Sequence, residues 1–120
     1  MDTVVLVARI IIALGIVNVW LVRFGKPTEW RGGKAANMKE EFQAYGLPGG
    51  IMLFIGALKL LVAAALIVGI WVPELTMPAA IGMAVLMLGA ILMHVKVKDP
   101  AKRSLPALCM LALSLIVAFA

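Results

Sequence analysis

The sequence predicts an all-α fold, a bundle of four transmembrane helices with a short interfacial amphipathic helix between helices 1 and 2. The first observation behind this prediction is composition, since 64 % of residues are hydrophobic, only 14 % are charged and the mean hydropathy is +1.10. A soluble globular protein is about half apolar and about a quarter charged. The second observation is that the apolar residues form four long segments, whereas strands of a membrane β-barrel would be about half as long and would alternate in polarity. The chain is therefore expected to be one transmembrane domain, residues 1–120.

The four segments have the lengths that membrane helices need. A helix crosses a hydrocarbon core of about 30 Å with about 20 residues. The spans are expected at about residues 4–22, 49–71, 75–95 and 105–120. Pro73 predicts a tight turn between the second and third spans, because a proline cannot continue the preceding helix. Pro106 fits the first turn of the fourth span, where its missing N–H removes no helical hydrogen bond.

The loop between the first two spans has a helical pattern of its own. Met38, Phe42 and Tyr45 recur at helical spacing and would share one apolar face. Asn37 with Glu40 three residues later fits an N-terminal cap. The pattern predicts a short amphipathic helix on the membrane interface.

Lysine and arginine are distributed asymmetrically between the connections. Nine of the eleven lie in two loops, as Arg23, Lys26, Arg31, Lys34 and Lys39 after the first span and Lys96, Lys98, Lys102 and Arg103 after the third. The turn at Glu74 and both chain ends have none. Cytoplasmic loops of membrane proteins carry such an excess. Both basic loops are therefore expected to be cytoplasmic, with both termini outside a bacterial cytoplasmic (inner) membrane. The net charge of +5 is then attributed to topology and contact with anionic headgroups, and not to nucleic acid.

Several glycine-spaced motifs resemble those of a known family. They are Gly46-Leu47-Pro48, the run from Gly56 to Leu61, the run from Gly69 to Pro73, the run from Met87 to Ala90, His94, Asp99-Pro100, and Ala8-Arg9 in the first span. Together they resemble the DoxX-like family of small four-helix membrane proteins, which takes its name from a membrane subunit of a thiosulfate:quinone oxidoreductase. The resemblance implies the fold, and it suggests a link to quinones. Many relatives have an acidic residue near the position that is Lys59 in this chain.

Lys59 is the most unusual residue in the spans. It lies ten positions after Gly49, so about 15 Å deep by helical rise, where an unpaired lysine costs at least about 2.5–3.5 kcal/mol. The same depth arithmetic places Ser114 at a similar level and Asn18 nearer the cytoplasm. One interpretation is a polar ligand-binding centre formed by these three side chains. The alternative is that Lys59 extends its apolar stem along the helix and places its amine at the interface.

Arg9 lies near the outer end of the first span, at the level of Glu74. A structural ion pair between the two is the favoured interpretation, and contact with a ligand is the alternative. His94 is expected to form interfacial hydrogen bonds, since a single histidine cannot provide the several ligands that a metal or a doubly ligated haem needs. No metal site is expected. Cys109 is expected to contribute packing.

No strong catalytic motif assigns a reaction, so three functions remain open. The first is a redox-linked accessory subunit that binds a lipophilic, quinone-like molecule within the bundle. The second is a non-enzymatic protein that binds or transports an amphiphile, and the third is a structural subunit or assembly factor of a membrane complex. No intrinsic cofactor is expected beyond a bound quinone or lipid. The expected partners are membrane lipid and either a membrane redox enzyme or further copies of the chain.

Overall fold

The computed structural model describes residues 2–120, and within that range the chain is helical and has no strand. The α-helices are α1 (Thr3–Val17), α2 (Met38–Ala44), α3 (Gly49–Val68), α4 (Thr76–Lys96) and α5 (Leu105–Phe119). A π-helical segment, Asn18–Val22, extends α1, and the 3-10 turns Pro73–Leu75 and Ala101–Ser104 precede α4 and α5. The predicted all-α four-helix bundle is confirmed.

The four long helices form a ring around a shared core. Helix α1 packs against α3 and α5, and α4 packs against the same two helices, so α1 and α4 lie diagonally opposite each other. The two basic loops meet at one end of this ring, where the Lys96 Nζ donates to the Tyr45 backbone oxygen at 2.7 Å. The turn at Pro73–Leu75 lies at the other end. These two ends are called the basic end and the turn end below.

The outside of the bundle is apolar. Leu14, Leu61 and Val85 point away from the core and are 65 %, 67 % and 64 % exposed. A soluble protein rarely exposes so much contiguous aliphatic surface. In the described part of the chain, four helical stretches are long and apolar enough to cross a membrane: Thr3–Val22, Gly49–Val68, Pro73–Lys96 and Ala101–Phe119. The exterior is therefore a lipid-facing surface, and the chain is an integral membrane protein.

Helix α2 forms where the loop pattern predicts it. The Asn37 side chain accepts a hydrogen bond from the Glu40 backbone N–H at 2.8 Å, so the predicted cap is confirmed. Its apolar residues Met38 and Phe42 are buried in the core of the bundle. Helix α2 therefore closes the basic end of the ring with its apolar face.

Helix α3 ends three residues before the expected limit of its span. Past Val68 the hydrogen bonds change to the tighter pattern, from Ile70 N–H to the Ile67 oxygen and from Trp71 N–H to the Val68 oxygen. Gly69 occupies the point where the Arg9 guanidinium approaches, since a Cβ there would lie 3.0 Å from Arg9 Nη1. The close approach of α1 thus coincides with the end of α3.

We expect both basic loops to be cytoplasmic. In a Cys109→Ala background, a cysteine at Lys34 should react with a membrane-impermeant maleimide only after the membrane is opened, and a cysteine at Glu74 should react in intact cells. The physical reason is the retention of lysine- and arginine-rich loops on the cytoplasmic side. Labelling of the cysteine at position 34 in intact cells would show that the basic loops lie outside, which is the opposite of the expected orientation.

Candidate functional site

A cavity of about 830 Å³ lies between the helices at the basic end of the bundle. Its walls come from the last part of α1, the first half of α3, the second half of α4 and the first half of α5. Apolar side chains form most of these walls, among them Ile16, Ile51, Ile55, Leu86, Met93 and Met110. Helix α2 and the loop before it form the lid. The cavity is therefore apolar towards the middle of the membrane and polar towards its lid.

Lys59 faces this cavity from α3. Its Nζ lies 5.2 Å from the centre of the Trp20 ring, within the range of a cation–π interaction. None of the three ion pairs found among residues 2–120 includes Lys59. The amine is thus a cation held against an aromatic face, with its hydrogen-bonding capacity available to a ligand.

Trp20 is positioned by two features of the local sequence. It lies in the π-helical segment Asn18–Val22, a helix variant that is common at functional sites. It also rests on Gly56 of α3, where an added Cβ would come within 2.5 Å of the indole. On the lid side its ring contacts Phe42 edge-on, with centroids 5.8 Å apart. The glycine therefore leaves room for the tryptophan ring between α1 and α3, beneath the lid.

The lid has a buried ion pair. Arg31 Nη1 lies 2.9 Å from Glu41 Oε2, and the Arg31 Nε donates to the Lys26 backbone oxygen at 2.9 Å. The Tyr45 hydroxyl donates to Glu41 Oε1 at 2.6 Å. Burial, and next the nearby negative charge of Glu41, raise the pKa of Tyr45 well above its usual value. Tyr45 is therefore a neutral phenol at the end of α2, and it donates to the same carboxylate that pairs with Arg31 of the loop before α2.

A second polar cluster connects the two basic loops through Asp99. Its Oδ1 accepts hydrogen bonds from the Gly33 backbone N–H at 3.0 Å and from Arg103 Nη1 at 2.9 Å. Its Oδ2 lies 2.8 Å from His94 Nδ1. Burial works against ionisation of Asp99, yet the hydrogen bonds from His94 and Gly33 and the charge of Arg103 outweigh it and hold the pKa of Asp99 below its ordinary value. The side chain is 4 % exposed, so this carboxylate is a buried junction between the lid and α4.

His94 joins this junction to the cavity. Its ring lines the cavity and packs edge-on against Tyr45, with centroids 6.0 Å apart. Nδ1 is occupied by Asp99, and Nε2 forms no hydrogen bond to another residue in the described range. Among residues 2–120 no three His, Cys, Asp or Glu side chains are grouped as metal ligands. The imidazole is thus an oriented hydrogen-bonding group, with one nitrogen left for a ligand.

The residues predicted for the ligand site separate into two sets. Lys59 and Asn18 both line the cavity. Ser114 is completely buried elsewhere in the core, and its hydroxyl donates to the Met110 backbone oxygen at 2.7 Å. Ser114 therefore satisfies its hydroxyl within α5, and the structure does not bring it to Lys59.

Arg9 lies at the turn end of the bundle, away from the cavity. Its Nη1 donates to the Leu66 backbone oxygen at 2.6 Å and its Nη2 to Thr76 Oγ1 at 2.8 Å, while Nε has no partner among residues 2–120. The predicted ion pair with Glu74 is not formed. Glu74 is exposed in the turn before α4, whereas the guanidinium points inwards to a carbonyl left free at the end of α3. Arg9 therefore joins α1 to α3 and α4 without a carboxylate.

Sequence reasoning missed the polar residues of the lid. The sequence predicts only that Arg31 lies in a basic loop and assigns no role to Glu41, yet the two residues, ten positions apart along the chain, form an ion pair in the lid. Asp99 had a signal that could have identified it, because it is the only acidic residue in the second basic loop. An isolated carboxylate among lysines and arginines, five residues after a histidine, indicates a specific partner.

Four lipid-facing helices around a partly polar cavity define a small integral membrane protein with four spans. The chain belongs to the DoxX-like family, whose sequence model matches residues 30–117. The family indicated by the glycine-spaced motifs is therefore confirmed. No curated protein and no solved structure matches the chain.

Proposed function

We propose that the protein binds a lipophilic, quinone-like molecule in the cavity and acts as an accessory subunit of a membrane redox enzyme in the bacterial cytoplasmic membrane. The observation behind this proposal is that one cavity combines apolar helical walls with two polar groups, Lys59 and His94, that face it. Small-molecule sites are typically apolar clefts with a few placed polar groups. A ring headgroup with oxygen atoms on an apolar tail matches that distribution.

The size of the cavity supports a ligand of this class. Pockets for small molecules usually measure about 300–1,000 Å³, and this cavity measures about 830 Å³. A substituted ring and the first part of a tail fit within that volume. Lys59 supplies a hydrogen-bond donor for a ring oxygen, and Trp20 supplies a flat aromatic surface beside it.

The proposed accessory role follows from how few residues in the chain could ligate a redox cofactor. It has one histidine and one cysteine, whereas a doubly ligated haem or an iron–sulfur cluster takes several such ligands. Electrons from a bound quinol would therefore pass to a partner protein. The lysine- and arginine-rich surface of the basic end gives an acidic partner a place to dock.

One observation favours a second candidate, a carrier of an anionic amphiphile. Lys59 is a cation without a carboxylate partner in the described part of the chain, and an anionic headgroup would neutralise it. A structural subunit without ligand is the remaining alternative. The three candidates predict different contents of the cavity.

Purification from native membranes in mild detergent, followed by lipid extraction and mass spectrometry, tests the proposal. We expect a quinone or quinol in near-stoichiometric amount with the natural chain and with Cys109→Ala, whose altered side chain faces outward. Lys59→Met should retain much less. Enrichment of an anionic lipid in place of a quinone would favour the carrier, and a lipid content equal to that of the bulk membrane in all three samples would favour the structural subunit.

A further inference from the structure

We propose that the cavity recognises the reduced, hydroxyl-bearing form of its ligand, and that His94 is the residue that selects it by accepting a hydrogen bond from the hydroxyl group. This inference rests on the proposed function and names the form of the ligand. It begins with the proton on the imidazole. A neutral histidine has one N–H donor and one acceptor nitrogen, and the partner of one nitrogen decides which is which.

The proton of His94 is assigned to Nδ1 by its partner. Asp99 Oδ2 lies 2.8 Å from Nδ1, and an ionised carboxylate can only accept hydrogen bonds. Asp99 is held ionised by the Gly33 N–H and by Arg103, which both donate to Oδ1. In the neutral imidazole Nδ1 therefore carries the hydrogen, and Nε2 has the lone pair.

No other group among residues 2–120 uses that lone pair. His94 lines the cavity and is 6 % exposed, yet Nε2 has no hydrogen bond to another residue in the range 2–120. Tyr45 packs edge-on against the ring, but its hydroxyl hydrogen is committed to Glu41. Nε2 is not among the fully buried atoms without a partner, but an acceptor beside apolar walls that provide no donor is less favourable than a hydrogen-bonded one. A ligand that supplies a donor, such as the hydroxyl group of a quinol, removes this cost, whereas the carbonyl oxygen of a quinone adds a second acceptor.

Lys59 does not distinguish the reduced ligand from the oxidised one. Its ammonium group donates to any oxygen, so it serves the oxidised and the reduced ring alike. Lys59 is therefore assigned to binding of both forms, and His94 to the preference between them. Loss of binding and loss of preference can be measured separately.

Three probes separate these effects: a short-tailed benzoquinone, its quinol kept reduced under argon, and the dimethyl ether of that quinol, which lacks the donor hydrogens. We expect the natural chain in detergent micelles to bind the quinol about tenfold tighter than the quinone or the ether, the effect of one well-oriented hydrogen bond. His94→Phe should bind all three with similar affinity. Lys59→Met should weaken the binding of the quinol and the quinone together.

Asp99→Asn tests the role of the His94 tautomer more directly, because it keeps the imidazole in place. Its amide oxygen can replace Oδ1 towards Gly33 and Arg103, while its amide nitrogen faces Nδ1 and donates to it. The imidazole proton then moves to Nε2, a tautomer reversal of the kind that disables a catalytic histidine when its aspartate is replaced by asparagine. We expect the preference to reverse, so that the quinone binds tighter than the quinol.

A spectroscopic measurement keeps the inference testable even where a variant binds poorly. His94 is the only histidine in the sequence, so a chain labelled with ¹⁵N-histidine and carrying no histidine tag gives imidazole signals from this residue alone. The natural chain should show a protonated Nδ1 and an unprotonated Nε2, and Asp99→Asn the opposite. Equal affinity of the natural chain for quinol and ether, or the same tautomer in both chains, would overturn the role of His94. Failure of all probes to bind the natural chain would instead contradict the proposed function.

Discussion

Replacing Lys59 with methionine is expected to weaken the binding of a quinone probe by about tenfold or more, without lowering the free energy of unfolding. The amine is the donor that faces the cavity from α3. A charged group in apolar surroundings lowers stability, so its removal should not lower the free energy of unfolding. Methionine keeps an unbranched, flexible side chain of similar length. Affinity would be measured by equilibrium titration in micelles, and stability by chemical denaturation of the same samples.

The chain provides a matched control for this substitution. Lys102 also lies over a tryptophan ring, 5.9 Å from the centre of Trp30, but it does not line the cavity. Lys102→Met should leave the affinity unchanged. Equal affinities of the natural chain and of Lys59→Met would show that the lysine has no part in binding.

Replacing Asp99 with alanine is expected to lower the free energy of unfolding by about 3 kcal/mol, because it leaves buried donors without an acceptor. His94 Nδ1 and the Gly33 N–H lose their acceptor, and Arg103 loses one of two, since its Nη1 also donates to the Gly33 backbone oxygen. The Arg103 side chain is partly exposed and can return to solvent, whereas His94 cannot. Denaturant titration in micelles measures the loss. Asp99→Asn, which keeps the acceptor for Gly33, should lose clearly less, and equal losses in the two variants would contradict this account of the junction.

The same carboxylate should make stability fall in acid. The pKa of Asp99 is lower in the folded chain than its ordinary value of 3.8, so its contribution is present above that value and disappears as the pH falls through the lower folded value. Stability measured against pH should therefore show an acid-side loss that is absent in Asp99→Asn. An identical pH profile for the two chains would contradict the assignment.

The parts of the fold that depend on a single segment could be predicted from the sequence. The four spans follow from apolar length, and the start of α2 follows from Asn37 and Glu40, whose capping hydrogen bond the structure contains. The predicted end of the second span, Trp71, was too late because hydropathy continues to that residue. The α-helix ends at Val68, and Arg9 approaches the backbone at the next residue, Gly69.

Contacts between segments could not be derived in the same way. Depth arithmetic correctly placed Arg9 and Glu74 at one end of the bundle, but depth does not say which way a side chain points around its helix. The Arg9 guanidinium turns inwards to Leu66 and Thr76, and Glu74 stays outside. The same limit applies to Ser114, which faces the core away from the cavity.

The lid was missed for a further reason, since Arg31, Glu41 and Tyr45 come together only when α2 folds back over the bundle.

Trp20 gives the most direct test of the central claim, that the cavity beneath the lid binds a quinone-like molecule. Its ring lines the cavity, whereas Trp71 is 74 % exposed beyond the end of α3, at the turn end. A chain with Trp30→Phe and Trp71→Phe keeps Trp20 as its only tryptophan, and a chain with Trp20→Phe and Trp30→Phe keeps Trp71. Titration of each with a short-tailed benzoquinone, which quenches indole fluorescence on contact, should give saturable quenching of Trp20 and only gradual, non-saturating quenching of Trp71. Equal, non-saturating quenching of both would contradict the account.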